Sequence, residues 1–427
     1  MIKIYDMETL EEREILFRGG SGADVSAPVA EILRAVQERG DAALREYTLR
    51  FDGAAPDALA VTAEEVDQAA AQVEPAFLAV LEEAAEHIRA YHARQKRESF
   101  VMTEREGVVL GQRIIPLARV GIYVPGGTAA YPSTVLMNAI PARIAGVGEI
   151  IMVTPPGRDG AVNPHILAAA KIAGVTRIYK VGGAQAVAAL AYGTGTITQV
   201  DKIVGPGNAY VAEAKRQVFG RVNIDMIAGP SEVLVLADGR SNPAWVAADL
   251  LSQAEHDRMA AAVLVTDSRP LAEAVAHELE RQLAALPRAE IARASLEANG
   301  KLIVCRDLRE GIAVANRIAP EHLELCVDNP FDYLGEIQNA GSVFLGRYNP
   351  EPMGDYFAGP NHTLPTMGTA RFYSPLSVDD FVKKSQFSYY TRDALARDYR
   401  KVSLFARKEG LDAHARAVDI RFEGGEA

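Results

Sequence analysis

Four short segments of this 427-residue chain concentrate side chains that can bind metal ions or move protons. In chain order they are "DLLSQAEHD", "APEHLELCV", "GDYFAGPNHTLPT" and "EGLDAHARAV", and they hold four of the eight histidines. In the first segment Gln253 and His256 are three residues apart, so a helix places both on one face. An apolar helix that ends by aiming an amide and an imidazole at one point indicates a ligand site.

Metal binding is the first chemistry to consider. Gln253, His256, Asp355 and His414 together offer two imidazoles, a carboxylate and an amide oxygen. Such nitrogen and oxygen ligands suit Zn²⁺, with Mn²⁺ or Co²⁺ as substitutes. The H-E-x-x-H motif of zinc proteases is absent. Because two histidines and an acid can be gathered from almost any chain of this length, hydrogen-bonded structural histidines stay open as the alternative.

Acid–base catalysis is the second chemistry to consider. Glu321 and His322 are adjacent and follow a proline. A histidine can take a proton from an alcohol near neutral pH, and a neighbouring carboxylate can activate water. If the dipeptide stood alone, a capping acid beside a partly exposed histidine would be the better explanation.

The elements that must position these groups follow an α/β pattern. The first 100 residues are predicted to be helical, with His87 and His92 on solvated faces. From about residue 119, four strands, "RVGIY", "EIIMVT", "RIYK" and "DKIV", are each followed by a glycine- or proline-containing turn and a helix. Four such units predict a parallel sheet covered by helices. A second set, with strands "EVLVLAD", "AAVLVTD" and "GKLIVCRD", predicts another α/β domain. The charged and aromatic tail after about residue 375 is predicted to pack against something else, such as another subunit.

Three of the predicted strand ends carry glycine-rich turns, "VPGGTAAYPS", "VGGAQ" and "GPGNAYV". Glycine lets the backbone approach a ligand, and a helix that follows offers free N–H groups to an anion. Tight turns use glycine for other reasons too, and none of the three is the G-x-G-x-x-G dinucleotide fingerprint. Together they make a nucleotide plausible, bound in an unusual way at the carboxyl ends of the strands.

Composition limits which binding partners and which cellular compartment are expected for this chain. A formal charge of −11 argues against nucleic acid or an anionic membrane as the main partner. No run of about 18 apolar residues is present, so no bilayer span is expected, and no secretory signal is recognised. Cys305 and Cys326 lie in apolar stretches and are expected to be inert core thiols, which fits a reducing cytoplasm.

The longest motifs identify a family. "YVPGGTAAYPSTVLMNAIPA", "VGGAQAVAALAYGT", "VDKIVGPGNAYVAEAKRQV", "AGPSEVLVLAD", "DLLSQAEHD", "APEHLEL", "GDYFAGPNHTLPT" and "AHARAV" occur here in one order. This set resembles the histidinol dehydrogenases, from the N-terminal helical region to the last helix. The resemblance implies a zinc-containing, NAD-dependent homodimer that oxidises L-histidinol through L-histidinaldehyde to L-histidine in the last steps of histidine biosynthesis.

The resemblance also implies an architecture of two incomplete Rossmann-like parallel-sheet domains with helical extensions. The implied division is an N-terminal arm over residues 1–20, a first domain over 21–120 and 233–375 with the catalytic and zinc-site residues, a second domain over 121–232 with the NAD contacts, and a C-terminal arm over 376–427 that contributes to the partner's site.

Roles carry over by motif. Zinc would be held by Gln253, His256, Asp355 and His414, the last from the neighbouring subunit. His322 would deprotonate the alcohol for the first hydride transfer, and Glu321 would activate water to hydrate the aldehyde before the second. The matching NAD contacts are Tyr123, Gln185 and Asn208, and the substrate contacts are Ser231, His362 and Glu409 together with His322 and the four zinc ligands.

Three alternatives stay open from the sequence. The same fold could oxidise another small alcohol, such as a sulfonated diol, although Glu409 suits a cationic amino alcohol better. A non-enzymatic, metal- or nucleotide-responsive protein would have no need of the Glu321–His322 pair. A thiol mechanism of the aldehyde dehydrogenase kind would need an activated cysteine, and Cys305 and Cys326 lack an electropositive local sequence.

Overall fold

The computed structural model describes residues 2–16, 24–126 and 130–423. The chain divides into two compact units, the first made of Met1–Lys96 and Leu117–Phe381 and the second of Arg97–Pro116 and Val382–Ala427. The glycine-rich turn after Tyr123 falls partly outside the described residues, at 127–129. Within the described ranges no helix has the length and apolar character needed to cross a bilayer.

The strands of the described residues fall into three sheets. In chain order they are β1 (Lys3–Asp6), β2 (Phe100–Met102), β3 (Val108–Pro116), β4 (Arg119–Tyr123), β5 (Glu149–Thr154), β6 (Arg177–Lys180), β7 (Lys202–Val204), β8 (Asn223–Ile224), β9 (Glu232–Ala237), β10 (Ala261–Thr266), β11 (Lys301–Val304), β12 (His322–Cys326), β13 (Ser342–Leu345) and β14 (Val382–Tyr390).

The helices alternate with these strands. They are α1 (Glu12–Leu16), α2 (Ser26–Arg39), α3 (Asp41–Asp52), α4 (Ala63–Gln72), α5 (Pro75–Ala93), α6 (Pro132–Ala145), α7 (Pro164–Ala173), α8 (Gly183–Tyr192), α9 (Ala209–Val218), α10 (Pro243–Ala254), α11 (Arg269–Leu283), α12 (Ala289–Asn299), α13 (Leu308–Ile318), α14 (Phe331–Leu334), α15 (Glu351–Tyr356), α16 (Arg392–Lys408) and α17 (Asp412–Asp419).

A six-stranded parallel sheet in the first unit has the order β1-β11-β10-β9-β12-β13. Its central strands β9 and β10 are buried along their whole length, because helices cover both faces. The predicted second α/β set is confirmed. The edge strand β1 departs from the all-helical expectation for the first 100 residues, since Ile4 pairs with Leu302 in parallel register.

A five-stranded parallel sheet in the same unit has the order β6-β5-β4-β7-β8. The four predicted strand-turn-helix units are confirmed as β4–α6, β5–α7, β6–α8 and β7–α9. Helices α2 to α5 pack against α6 to α9, and residues of α2 and α3 share one apolar core with this sheet. The helical region before residue 97 therefore packs with the five-stranded sheet, whereas the implied division groups 21–120 with the catalytic domain.

The second unit contains a three-stranded antiparallel sheet, β14-β3-β2, and the helices α16 and α17. Strand β14 pairs with β3 over nine residues, from Val382 opposite Pro116 to Tyr390 opposite Val108. Large apolar side chains remain exposed on this unit, among them Leu404, Phe405 and Tyr389. Such a surface on a small unit is typical of a region that packs against another protein surface.

Candidate active site

The Glu321–His322 pair lies at the amino-terminal edge of the six-stranded sheet. His322 is the first residue of β12 and pairs with Val233, the second residue of β9. Ser231 immediately precedes β9, so it reaches the same edge. Helix α10 runs back along the sheet from the end of β9, which returns Gln253 in its last turn to this edge as well. Ser231 and the Glu321–His322 pair therefore meet here because parallel strands begin at the same edge. Gln253 joins them because α10 returns to that edge.

The imidazole of His322 is held by its Nδ1 atom. Nδ1 lies 2.9 Å from the backbone carbonyl oxygen of Glu232. A carbonyl oxygen only accepts, so Nδ1 carries a proton and donates it. Nε2, on the other side of the ring, is buried and has no hydrogen-bond partner within the described residues. The ring is therefore oriented with one free nitrogen facing the pocket.

Carboxylates surround His322. Nε2 lies 3.7 Å from an oxygen of Glu351 and 3.8 Å from an oxygen of Asp355, and Nδ1 lies 3.7 Å from an oxygen of Glu321. Burial alone lowers the pKa of His322, but the negative charges of Glu321, Asp355 and Glu351 outweigh it and raise the pKa to about 10. Three carboxyl groups thus surround one imidazole in this pocket.

Glu321 is buried, and a hydrogen bond from the neighbouring strand holds its side chain in place. Its Oε2 atom accepts the backbone N–H of Glu232 at 2.9 Å. Burial raises the pKa of Glu321 to about 7, although the positive charge of His322 and this hydrogen bond oppose the rise. A carboxyl group with a pKa near neutrality can take up and release a proton at working pH, as a general base for water must.

Asp355 and His362 lie on the opposite side of the pocket from the strand edge. An oxygen of Asp355 is 3.8 Å from Nδ1 of His362, and that nitrogen donates to the backbone carbonyl oxygen of Asp355 at 3.1 Å. Burial raises the pKa of Asp355, but contacts with His322 and the charge of His362 outweigh it and bring the pKa to about 2. Asp355 is therefore ionised, which is the form that binds a metal ion.

Two further predicted metal ligands lie around the end of α10, with Gln253 in its last turn and His256 just beyond the helix, so the expected placement of both on one helix is wrong. Gln253 is buried, and its Nε2 atom has no hydrogen-bond partner within the described ranges. His256 is partly exposed, and burial of part of its ring lowers its pKa; the negative charge of Asp355 opposes this shift and the positive charge of His322 adds to it. A buried amide that can bind through its oxygen, an accessible imidazole and an ionised carboxylate together fit a Zn²⁺ site.

Other ligand atoms also lie close together in this pocket. One atom each from His322, Glu351 and Asp355 fall within 4.8 Å of one another. This group shares only Asp355 with the predicted metal set, and Glu351 was not singled out from the sequence. The signal was available, since Glu351 precedes Asp355 by four residues and a helix places both on one face.

Two of the predicted site residues, His414 and Glu409, belong to the second unit. His414 lies in α17 and Glu409 directly follows α16, and both are exposed. Together with apolar residues such as Phe405 and Val418, they line one groove of that unit. Within a single chain the first unit supplies Gln253, His256 and Asp355 of the predicted zinc ligands, and the second unit supplies His414.

The predicted NAD contacts lie at the carboxyl-terminal edge of the five-stranded sheet. Tyr123 ends β4, and its hydroxyl accepts the backbone N–H of Gly183 at 3.1 Å. Gln185 is buried in the first turn of α8, and neither atom of its amide has a hydrogen-bond partner within the described residues. Asn208 caps α9 by accepting the N–H groups of Tyr210 and Val211. Two unpaired amide atoms at this edge are typical of a ligand site.

The helical N-terminal region also supports the pocket, which the sequence did not predict. The expectation that His92 is solvated is wrong, because its ring is fully buried and its Nε2 atom lies 3.3 Å from Nδ2 of Asn361. His87 is half-buried, and its Nδ1 atom lies 2.8 Å from the backbone carbonyl oxygen of Phe357. These contacts attach α5 to the segment that carries Asp355 and His362.

Both cysteines are buried and unpaired by a disulfide. Burial raises the pKa of Cys305 to about 12 and raises that of Cys326 as well. A thiol with a raised pKa is a poor nucleophile at neutral pH. The thiol mechanism considered as an alternative therefore has no support, and the expectation of inert core thiols is confirmed.

Comparison with known proteins gives consistent matches over nearly the whole chain. A family model described as histidinol dehydrogenase matches residues 18–422. The histidinol dehydrogenase of Listeria monocytogenes serotype 4b (strain F2365) is 55% identical over 416 residues, which cover 97% of each chain. That of Geobacillus kaustophilus (strain HTA426) is 58% identical over 398 residues, covering 93% of this chain and 94% of the relative.

A solved structure agrees with these matches. The crystal structure of histidinol dehydrogenase from Elizabethkingia anophelis superposes with a TM-score of 0.94 at 40% sequence identity, covering 99% of this chain and 98% of that one.

Proposed function

The chain belongs to the histidinol dehydrogenase family of NAD-dependent oxidoreductases, and from that membership we propose how its own residues divide the oxidation of L-histidinol to L-histidine between them. The alternative of a sulfonated diol or another small alcohol as substrate is not supported, since the matches are to histidinol dehydrogenases. The observation that carries the proposal is the free Nε2 atom of His322 in a pocket rich in carboxylates.

His322 is the proposed base for the first oxidation. Its Nδ1–H bond to Glu232 fixes the ring, so that Nε2 can accept the hydroxyl proton of the substrate as hydride leaves for the cofactor. The same carboxylates that raise the pKa of His322 attract a cationic amino alcohol. A bound cation offsets their charge and brings the pKa of His322 back towards neutrality, where the ring can act as a base.

Glu321 is the proposed base for the second oxidation. Its carboxyl group has a pKa of about 7 and lies beside His322. It would take a proton from the water that adds to the aldehyde, and the resulting hydrate can release a second hydride. Both bases come from adjacent positions on one strand edge, so the aldehyde need not leave the pocket between the steps.

Gln253, His256 and Asp355, completed by His414 of a neighbouring subunit, are the proposed zinc ligands. Bound there, Zn²⁺ would orient the amine and imidazole of the substrate as a template. The chemistry of these side chains supports the proposal. Gln253 offers an amide, His256 a partly exposed imidazole, and Asp355 a carboxylate that stays ionised down to about pH 2. None of the three must lose a further proton to bind a cation.

NAD is proposed to bind at the glycine-rich edge of the five-stranded sheet, through Tyr123, Gln185 and Asn208. Thr134 lies in the first turn of α6 at this edge, and its Oγ1 atom is 3.5 Å from Nε2 of His362. The edge that would hold the cofactor is therefore adjacent to the pocket that would hold the substrate, as hydride transfer requires.

A homodimer with shared active sites is proposed from the second unit. Its exposed aromatic and aliphatic side chains need a covering surface, and His414 and Glu409 lie among them. In this scheme Ser231, His362 and Glu409 contact the substrate, and residues 376–427 form the arm that reaches the partner.

A cytoplasmic location is proposed as well, in keeping with two free thiols.

The direct experiment measures NADH release from L-histidinol. Two NADH per histidinol, with the activity lost on chelation and restored by Zn²⁺, are expected. An anionic sulfonated diol at the same concentration serves as the matched control and should give no NADH. Turnover of the diol with none of histidinol would overturn the assignment.

A further inference from the structure

Three proposed site residues each have an acidic companion one structural repeat away. On α10, Asp249 precedes Gln253 by four residues. On β12, Glu324 follows His322 by two residues, and on α15, Glu351 precedes Asp355 by four. Spacings of four on a helix and two on a strand put both members of each pair on one face.

These companions form a connected cluster beneath the pocket. Glu324 is almost fully buried, and its Oε1 atom accepts the backbone N–H of Glu351, the first residue of α15, at 2.7 Å. A carboxylate oxygen of Asp249 lies within 4.8 Å of one of Glu324. Glu351 is itself buried and reaches Asp355 on one side and Nε2 of His322, at 3.7 Å, on the other. We call Asp249, Glu324 and Glu351 the acid layer.

The pKa values of the acid layer are raised, as expected for carboxyl groups that are buried close together. Burial raises the pKa of Asp249 to about 6, and burial together with the charge of Asp249 raises that of Glu324 well above its ordinary value. Two adjacent carboxylates repel each other, so one proton between them converts the repulsion into a hydrogen bond. A proton held between these two neighbouring carboxyl groups would join α10 to β12.

We propose that the acid layer is a positioning device, which sets the distances between Gln253, His322 and Asp355 by hydrogen-bonding the three elements that carry them. The inference rests on the proposed function, because those three residues matter only if they act on one substrate. It assigns Asp249, Glu324 and Glu351 a role through their neighbours rather than on the reacting atoms.

The test compares two substitutions of Glu324. Glu324→Gln keeps an acceptor for the N–H of Glu351 and gains an amide that can donate to Asp249, so its kcat should stay close to wild type. Glu324→Met has a similar volume but leaves that buried N–H unpaired, and a shift of α15 of the order of 1 Å should lower kcat ~100-fold. The KM for NAD⁺ should not change, because the cofactor is proposed to bind elsewhere.

Cys326→Ala is the matched control. Cys326 follows Glu324 on the same face of β12 and makes only a weak contact with it, with Sγ 3.9 Å from Oε2. Its replacement should leave kcat unchanged. Asp249→Ala, at a less buried position, is the second variant if Glu324→Met does not fold, and it should lower kcat ~10-fold, while Asp249→Asn should not.

The outcomes separate the inference from the proposed function. Absence of NADH from histidinol with the wild-type enzyme would contradict the function, while the absorption spectrum of bound Co²⁺ would still show whether Glu324→Met alters the ligand geometry. A folded Glu324→Met protein with wild-type kcat and an unchanged Co²⁺ spectrum would overturn the inference. So would an equal loss of kcat in Glu324→Gln, since that would implicate charge rather than hydrogen bonding.

Discussion

Nδ1 of His322 donates to the backbone carbonyl oxygen of Glu232, and this bond decides which ring nitrogen is available for chemistry. Glu232 opens β9 and His322 opens β12, so the bond also joins two neighbouring strands at their first residues. Orientation of the proposed base is thus built into the sheet itself, and substitutions at this edge can separate orientation from proton transfer.

His322→Asn tests proton transfer alone. The shorter amide can still donate to the carbonyl oxygen of Glu232, but no basic nitrogen remains. We expect kcat for histidinol to fall by about 10²- to 10⁴-fold, as is usual when a positioned base is lost. Steady-state kinetics at saturating NAD⁺ measures this, with the exposed His277→Asn as control. Wild-type kcat in His322→Asn would exclude His322 as the base.

Glu321→Gln tests the division between the two oxidations. Because the amide cannot take a proton from water, the first hydride transfer should proceed and the hydration of the aldehyde should not. A single turnover is expected to release one NADH per histidinol rather than two, and the aldehyde should be trapped by a carbonyl reagent after denaturation. A full yield of two NADH at the normal rate would assign the water-activating role to another group.

Mixed dimers test the shared active site. His322→Asn impairs the site of its own subunit, whereas His414→Ala should impair the site of the partner. A heterodimer of the two variants then contains one intact site and one doubly altered site. Random reassociation of equal amounts should restore about a quarter of wild-type activity, since half of the dimers are mixed and each has one working site. No recovery in verified heterodimers would mean that His414 acts within its own chain, and full activity of the His414→Ala homodimer would mean that it has no role.

Asp52 allows a prediction about stability that does not depend on catalysis. Burial raises the pKa of Asp52 to about 6, and its Oδ2 atom has no hydrogen-bond partner among the residues described. Because the folded state binds this proton more tightly than the unfolded state, the contribution to stability is full below pH 4 and is lost as the pH rises through about 6.

Asp52→Asn removes the buried charge and should therefore raise the free energy of unfolding at pH 8. We expect a gain of about 1 to 2 kcal/mol, discounted because the side chain is partly exposed. Urea unfolding at pH 8 and at pH 4 measures it, and the two proteins should differ little at the lower pH. A destabilised Asp52→Asn at pH 8 would show that the ionised carboxylate has a stabilising partner.

Local sequence determined the order of strands and helices and the presence of two parallel sheets. Short β-branched strands, glycine turns and amphipathic helices specify the two parallel sheets, because each unit can only bury its apolar face in such a layered arrangement. Chain continuity put Glu321 beside His322, and the turn that ends α10 keeps His256 near Gln253, whose backbone carbonyl oxygen accepts the N–H of His256 at 3.2 Å. The long motifs identified the family without any coordinates.

The tertiary structure decided what local patterns cannot encode. Pairing between distant strands depends on the packing of the whole core, so Lys3–Asp6 became the edge strand of a sheet whose other strands begin at residue 232. Local sequence did not reveal that the proposed catalytic pair, Glu321 and His322, would lie at the amino-terminal edge of its sheet, away from the carboxyl ends where such sheets usually bind ligands. Nor did it reveal Glu351, whose proximity to His322 depends on a hydrogen bond between residues 27 positions apart.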